Sequence, residues 1–231
     1  MTSLRQFVLL LFAAFFVPWF FLIARPHSSL RDLEPVPVDA SDPSLGTYPP
    51  ERSNVFKDGE VVFARQGCAN CHTQVIRPTY LGLDSFKKGW GSEKENMVHT
   101  RETRPMDYYG DHYAFIGIQR NGPDLANVGH RFDDAGYLHS HLYDPRQHND
   151  WSIMPSYRHL YIERKVQGEP SAEALKLTGA MAPKPGYEVV PTDEARVLVD
   201  YLMTLKRNAD VPKEQTAEAG AAPAAEAAPG A

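Results

Sequence analysis

The sequence predicts a mainly α-helical protein, with a single N-terminal transmembrane helix followed by one folded domain with long loops. Three observations carry that prediction. Phe7 to Ala24 run 18 residues without a charge, a length that can cross a bilayer. Thr192 to Lys206 carries helix start and stop signals around one apolar face. No alternating strand pattern of any length is present, and 19 prolines with 16 glycines point to long irregular connections. The 24 basic residues against 29 acidic ones leave a net charge of −5, which excludes a nucleic-acid binder by charge. Apolar residues at 42% are enough for one core and exclude a fully disordered chain.

Taken in order, residues 1–25 form the anchor. Pro18 removes one backbone donor, which lipid-embedded helices tolerate better than a charge, and Trp19 sits near the interfacial end. A cleaved signal peptide is the rival, but its apolar stretch is usually shorter and a small-x-small site should follow, where IARPHSS stands. Residues 26–54 hold Pro35, Pro37, Pro43, Pro49 and Pro50 and read as an extended tether. Residues 55–207 contain nearly all the remaining aromatics and form the folded domain. Residues 208–231, rich in Ala, Pro, Glu and Gly, are expected to be disordered.

Two helices are expected in that domain. The first lies in KDGEVVFARQGC, with Val61, Val62 and Phe63 just ahead of the cysteines. The second starts at a Thr192 cap after Pro191, carries Asp193 and Glu194 in its first turn, and ends at Lys206 and Arg207. Val197, Leu198, Tyr201, Leu202 and Leu205 fall on one face.

The chemistry sits in Cys68-Ala69-Asn70-Cys71-His72, a C-x-x-C-H motif of the kind that attaches one c-type haem covalently. Two thiols at that spacing reach the two vinyl groups on one edge of a porphyrin, and the adjacent imidazole becomes the proximal iron ligand. A redox dithiol would want a βαβ context, and a closed zinc site would need two further ligands with no cysteine left to supply them.

For the sixth ligand, Met97, Met106, Met154, Met181, Met203 and the other histidines compete. Met203 lies inside the last helix and is most simply core. Met154 precedes Pro155 in WSIMPSY, where proline stiffens the loop, and it is favoured, with Met181 of GAMAPKP the runner-up. His130 would give bis-His ligation.

The runs CHTQVIRP (71–78), NGPDLANVGHRF (121–132), HLYDPR (141–146) and SIMPSY (152–157) together resemble the monohaem subunit, subunit II, of cbb3-type cytochrome c oxidases, the CcoO/FixO family. The resemblance implies a single-span anchor and a class I type cytochrome c domain docked on the haem-copper catalytic subunit. It makes Cys68 and Cys71 the thioether residues, His72 and Met154 the axial ligands, and Pro123 the carbonyl that accepts the second N–H of His72. Gly59, Phe63 and Tyr201 would form the crossing of the first and last helices, and Arg77 and Arg131 would face haem propionates. Lys87 to Phe115 departs from the run usual in that family and is given no task.

A haem with both axial positions filled by protein has no open site for a small substrate, so electron transfer is expected and no catalytic residue is assigned. The expected role is to relay electrons from a donor cytochrome c, alongside another cytochrome c subunit, toward the catalytic subunit. Covalent haem attachment takes place on the outer side of the bacterial cytoplasmic membrane, which puts the amino terminus inside and the haem domain on the periplasmic side. The alternatives are the cytochrome c subunit of a nitric oxide reductase, a free-standing anchored shuttle, and a haem-based sensor. The last would need a weak or missing sixth ligand.

Overall fold

The computed structural model describes residues 3–31, 34–87, 90 and 101–207. Met97 and the tail from 208 onward, both subjects of the sequence expectations, lie outside the described residues. The chain divides into two compact units, Met1–Val36 and Pro37–Ala231.

The first unit is one apolar helix. It opens at Ser3, whose hydroxyl accepts from Gln6 N–H while the Gln6 side chain accepts from Ser3 N–H, a reciprocal cap that satisfies two orphan donors. Helix α1 (Leu4–Trp19) passes into a π-helical turn, Phe20–Ala24, and continues as α2 (Arg25–Leu30). Pro18 lacks the N–H needed for the regular ladder, and the widened turn directly follows it. Leu4–Leu30 is long and apolar enough to cross a membrane. At 1.5 Å per residue it spans about 40 Å, more than the hydrocarbon core requires. The helix runs beyond the apolar stretch, because α2 adds a polar turn in which Ser28 and Ser29 hydroxyls donate to the Arg25 carbonyl.

In the second unit the segment ahead of the first domain helix does more than space. Two-residue strands β1 (Val36–Pro37) and β2 (Thr47–Tyr48) flank a turn. Tyr48 is fully buried and its hydroxyl donates to Asp107.

Helix α3 (Asn54–Arg65) starts where the Ser53 hydroxyl accepts from Phe56 N–H. Helix α6 (Asp193–Thr204) starts where Thr192 accepts from Ala195 N–H, with two acidic residues in the first turn. The two helices cross at Gly59. A Cβ there would collide with the Val197 carbonyl and the Tyr201 Cβ, so only glycine permits this approach. Around the crossing, the Tyr201 ring lies 4.9 Å from Phe56 and 5.6 Å from Phe63, and Phe63 lies 4.9 Å from Phe115. Between them stand the short α4 (Val128–Arg131) and α5 (Ala135–Tyr143). Gly129 of α4 donates its N–H to the Leu205 carbonyl, and a Cβ on it would strike the Met203 carbonyl.

The fold is mainly helical, as expected, but the domain also contains an antiparallel pair that the sequence does not announce. Strands β3 (Tyr161–Lys165) and β4 (Tyr187–Pro191) pair with Tyr161 opposite Pro191 and Ile162 opposite Val190. Five-residue strands show too few alternations to register as a pattern. Val189 and Val190 are buried, and Glu188 is satisfied by Arg164 at 2.8 Å and the Ser171 N–H at 2.6 Å.

Residues 101–115, to which the sequence assigns no task, knit the domain together. Arg101 forks onto Asp107 at 2.6 and 2.7 Å. Asp111 receives Arg52 and the buried Arg207, each at 2.7 Å. Arg207 also donates to Gln74 Oε1, and the Tyr108 hydroxyl donates to the Gln74 carbonyl. Chain segments far apart in sequence are thereby closed over residues 73–77.

Gly59→Ala is expected to destabilise the chain by about 1–3 kcal/mol through overpacking at the α3–α6 crossing. Denaturant unfolding of the detergent-solubilised protein measures it; an unchanged midpoint would mean the crossing relaxes freely.

Candidate functional site

Helix α3 delivers the chain to a sharp turn. Gly67 adopts a left-handed conformation (φ 71°), and Cys68–Asn70 follow as a single 3-10 turn. The N–H groups of Cys71 and His72 both bond the Cys68 carbonyl, at 3.1 and 2.9 Å. Cys68, Cys71 and His72 therefore stand on one turn. The Cys68 thiol is buried, and burial pushes its pKa up to about 12; the Tyr157 hydroxyl lies beside it. It is a neutral thiol at neutral pH, while Cys71 is half-buried.

His72 Nδ1 lies 2.8 Å from the Pro123 carbonyl oxygen. A carbonyl only accepts, so the proton is on Nδ1 and the lone pair is on Nε2. Burial, opposed by the Pro123 bond, holds the His72 pKa below the usual histidine range. The approach depends on Gly122: a Cβ there would collide with the ring at Cε1 and come within 2.7 Å of both nitrogens. Backbone bonds on either side, Gly122 N–H to the Cys71 carbonyl at 2.9 Å and Leu125 N–H to the Thr73 carbonyl at 2.7 Å, hold residues 71–73 against 122–125.

Met154 follows a turn in which Ser152 N–H bonds the Asn149 carbonyl, and its own N–H is accepted by the Ser152 hydroxyl. Its side chain is half-buried against the core cluster that includes Cys68, with Leu125, Phe132, Tyr137 and Tyr157 in similar positions. Of its competitors, Met181 takes a hydrogen bond on sulfur from Arg158 at 2.7 Å, and Met203 is part of α6.

The two arginines expected to face propionates differ sharply. Arg77 forks onto Asp84 with both contacts at 3.0 Å, and Arg120 joins the same carboxylate at 2.7 Å. Burial would raise the Asp84 carboxyl, but these partners hold it at about 2, so Nε and Nη2 of Arg77 are committed to Asp84. Arg131 donates one N–H to the Asp124 carbonyl at 2.5 Å, yet its Nε is buried without a partner among the described residues. Burial lowers its pKa, opposed by the charge of Asp124.

These residues fit one haem. Two thiols and an imidazole with a free Nε2 share a turn, a glycine cradle admits the imidazole, and the half-buried Arg131 keeps one N–H without a partner among the described residues. Gly122, Asp124 and Tyr157 were not singled out from the sequence. Gly122 had a signal, a glycine before proline in the loop that meets the motif; the other two contact the site only through tertiary folding.

The family model described as cytochrome C oxidase, mono-heme subunit/FixO, matches residues 52–218, a span that takes in every candidate site residue. No curated protein matches the chain.

Burial also holds His139 and His141 below the ordinary value of 6.5, with His148 and then His72 adding to the effect at His141. The unfolded chain therefore binds more protons than the folded one just below that value. Stability should be flat with respect to these groups above about pH 6.5 and be lost as pH falls through it. Unfolding midpoints compared between about pH 7 and 5.5 should fall, and fall less in His139→Gln/His141→Gln; equal slopes would contradict the assignment.

Proposed function

This chain belongs to the family of mono-haem cytochrome c oxidase subunits, FixO, and from that premise we propose that it is the electron-relay subunit of a cbb3-type haem-copper oxygen reductase. In this reading Cys68 and Cys71 hold one haem c covalently and His72 and Met154 are its axial ligands. The observation that carries it is the His72–Pro123 bond at 2.8 Å, which leaves Nε2 as a lone-pair donor on the same turn as two thiols.

The roles follow from residue chemistry. Cys68 and Cys71 would hold the haem through thioethers, their S–H groups adding across the two vinyl groups of one porphyrin edge. Pro123 fixes the tautomer and ring orientation of His72 and raises its basicity toward iron. Met154 supplies a thioether, a donor that favours reduced iron and suits a relay at relatively high potential. Arg131, with its unmet hydrogen-bonding capacity, faces a propionate; Arg77 is assigned instead to Asp84. A haem held by these residues would supply one-electron ferric–ferrous chemistry. With both axial positions taken by side chains, the site moves electrons and makes no bonds to a substrate.

The apolar helix Leu4–Leu30 supports a membrane anchor. In the proposed orientation the amino terminus is cytoplasmic and the haem domain periplasmic, where a donor cytochrome c and another cytochrome c subunit meet it on the way to the catalytic subunit.

Gentle solubilisation of native membranes and purification through this chain tests the reading. Haem b, copper and cytochrome c-dependent oxygen uptake should accompany it, and the ferric haem c should show a weak far-red band that Met154→Ala abolishes. Non-haem iron with nitric oxide reduction, or a lone haem c protein, would overturn the oxidase assignment. Survival of the band would overturn Met154.

A further inference from the structure

We propose that Asp124 is a positioning residue for the proximal imidazole, fastening the segment behind His72 to the loop that supplies Pro123 and so setting the reduction potential of the haem. The inference rests on the reading of His72 as an axial ligand. Asp124 is 1% exposed. Its Oδ2 accepts the Thr73 hydroxyl at 2.6 Å and the Val75 N–H at 2.9 Å, and its Oδ1 accepts the Ala126 N–H at 2.8 Å. Arg120 Nη2 stands 3.6 Å from Oδ2.

The placement is what gives this carboxylate a function. Thr73 directly follows His72, and Asp124 directly follows Pro123, so the Thr73–Asp124 bond lies one residue beyond the His72–Pro123 bond on both strands of chain. The Thr73 hydroxyl, having donated to Asp124, accepts from Arg120 Nε at 2.7 Å. Arg120 itself is held by Asp84 at 2.7 Å and by the Val75 carbonyl at 2.6 Å. Neither Thr73 nor Arg120 has freedom to swing away.

Burial pushes the Asp124 carboxyl up, opposed by Thr73, Val75, Ala126 and Arg120; every described partner of its oxygens is a donor, which is the surrounding of an ionised acceptor. Asparagine has the same shape but would turn an N–H₂ toward one of those donors, leaving a buried N–H unmade. Two consequences have the same sign. The Thr73–Asp124 latch loosens, weakening the Pro123 bond that makes His72 a stronger donor to ferric iron. A fixed negative charge that favours the ferric state is also lost. Both raise the potential.

A merely structural carboxylate would change stability and leave the potential alone, so the potential is the readout. In the intact complex, spectroelectrochemical titration of the haem c should show Asp124→Asn shifted toward the reduced form by about tenfold at fixed ambient potential, ~59 mV for one electron. Thr73→Val, which keeps the charge and removes the latch, should shift the same way by less, and Thr73→Ser should stay at the wild-type value. If Asp124→Asn fails to retain haem, the two Thr73 variants decide the matter. Haem-loaded Asp124→Asn at the wild-type potential, or Thr73→Val indistinguishable from Thr73→Ser, would overturn the proposal. His72→Ala separates this from failure of the underlying reading: a haem spectrum unchanged in that variant means His72 is not a ligand at all.

Discussion

The hydrogen bond from His72 Nδ1 to the Pro123 carbonyl is the constraint on which the rest of the domain turns. It joins positions 51 residues apart, and it is satisfied only if the turn after α3 and the loop before α4 meet at backbone distance. Gly122 gives up a side chain to let them meet. Gly59 and Gly129 do the same at the two places where α6 receives α3 and α4. Helix crossing and site are one problem, because α3 ends three residues before Cys68 and α4 begins five residues after Pro123. Moving either helix moves one partner of the bond.

Polar interactions, more than apolar ones, set the register around that bond. Asp84, Asp107 and Asp124 are each almost wholly buried, and each sits among several donors. Removing one partner from such a group leaves an uncompensated buried charge and costs about 3–5 kcal/mol. Exposed pairs such as Arg196 with Glu173 and Asp193 contribute at most about 1 kcal/mol. The difference explains why residues 101–115, which bury few large apolar side chains, still hold the domain shut: Arg101, Asp107 and Asp111 gather Arg52, Arg207 and Tyr48 from both ends of the domain. Net gain over an apolar core is small for such networks, but they admit one arrangement of the chain.

Much of this could be read from the sequence where the signal is local. The anchor is a run of uncharged residues, the C-x-x-C-H turn is five consecutive positions, and α6 carries its cap, its acidic first turn and its apolar face within one stretch. The Gly59, Phe63 and Tyr201 crossing is implied by the family resemblance and is not legible from spacing, because Tyr201 stands on a different helix from the other two. What lay out of reach depends on distant partners. Arg77 pairs with Asp84, a buried carboxylate seven residues on, and only the folded chain shows that pairing. Tyr48, a single aromatic in a proline-rich stretch, is buried where its hydroxyl meets Asp107 and its ring meets Arg101, both more than fifty residues on. Strands β3 and β4 find each other across a loop of twenty-one residues, and neither is long enough to announce itself.

The proposed role of His72 requires that Pro123 hold its imidazole with the proton on Nδ1, leaving the Nε2 lone pair for a metal. Nitrogen-15 NMR of the ferrous, haem-loaded chain tests this most directly. The expected result is a protonated His72 Nδ1 whose proton exchanges slowly with water. An unprotonated Nδ1, or one whose proton exchanges as fast as that of an exposed histidine, would contradict it.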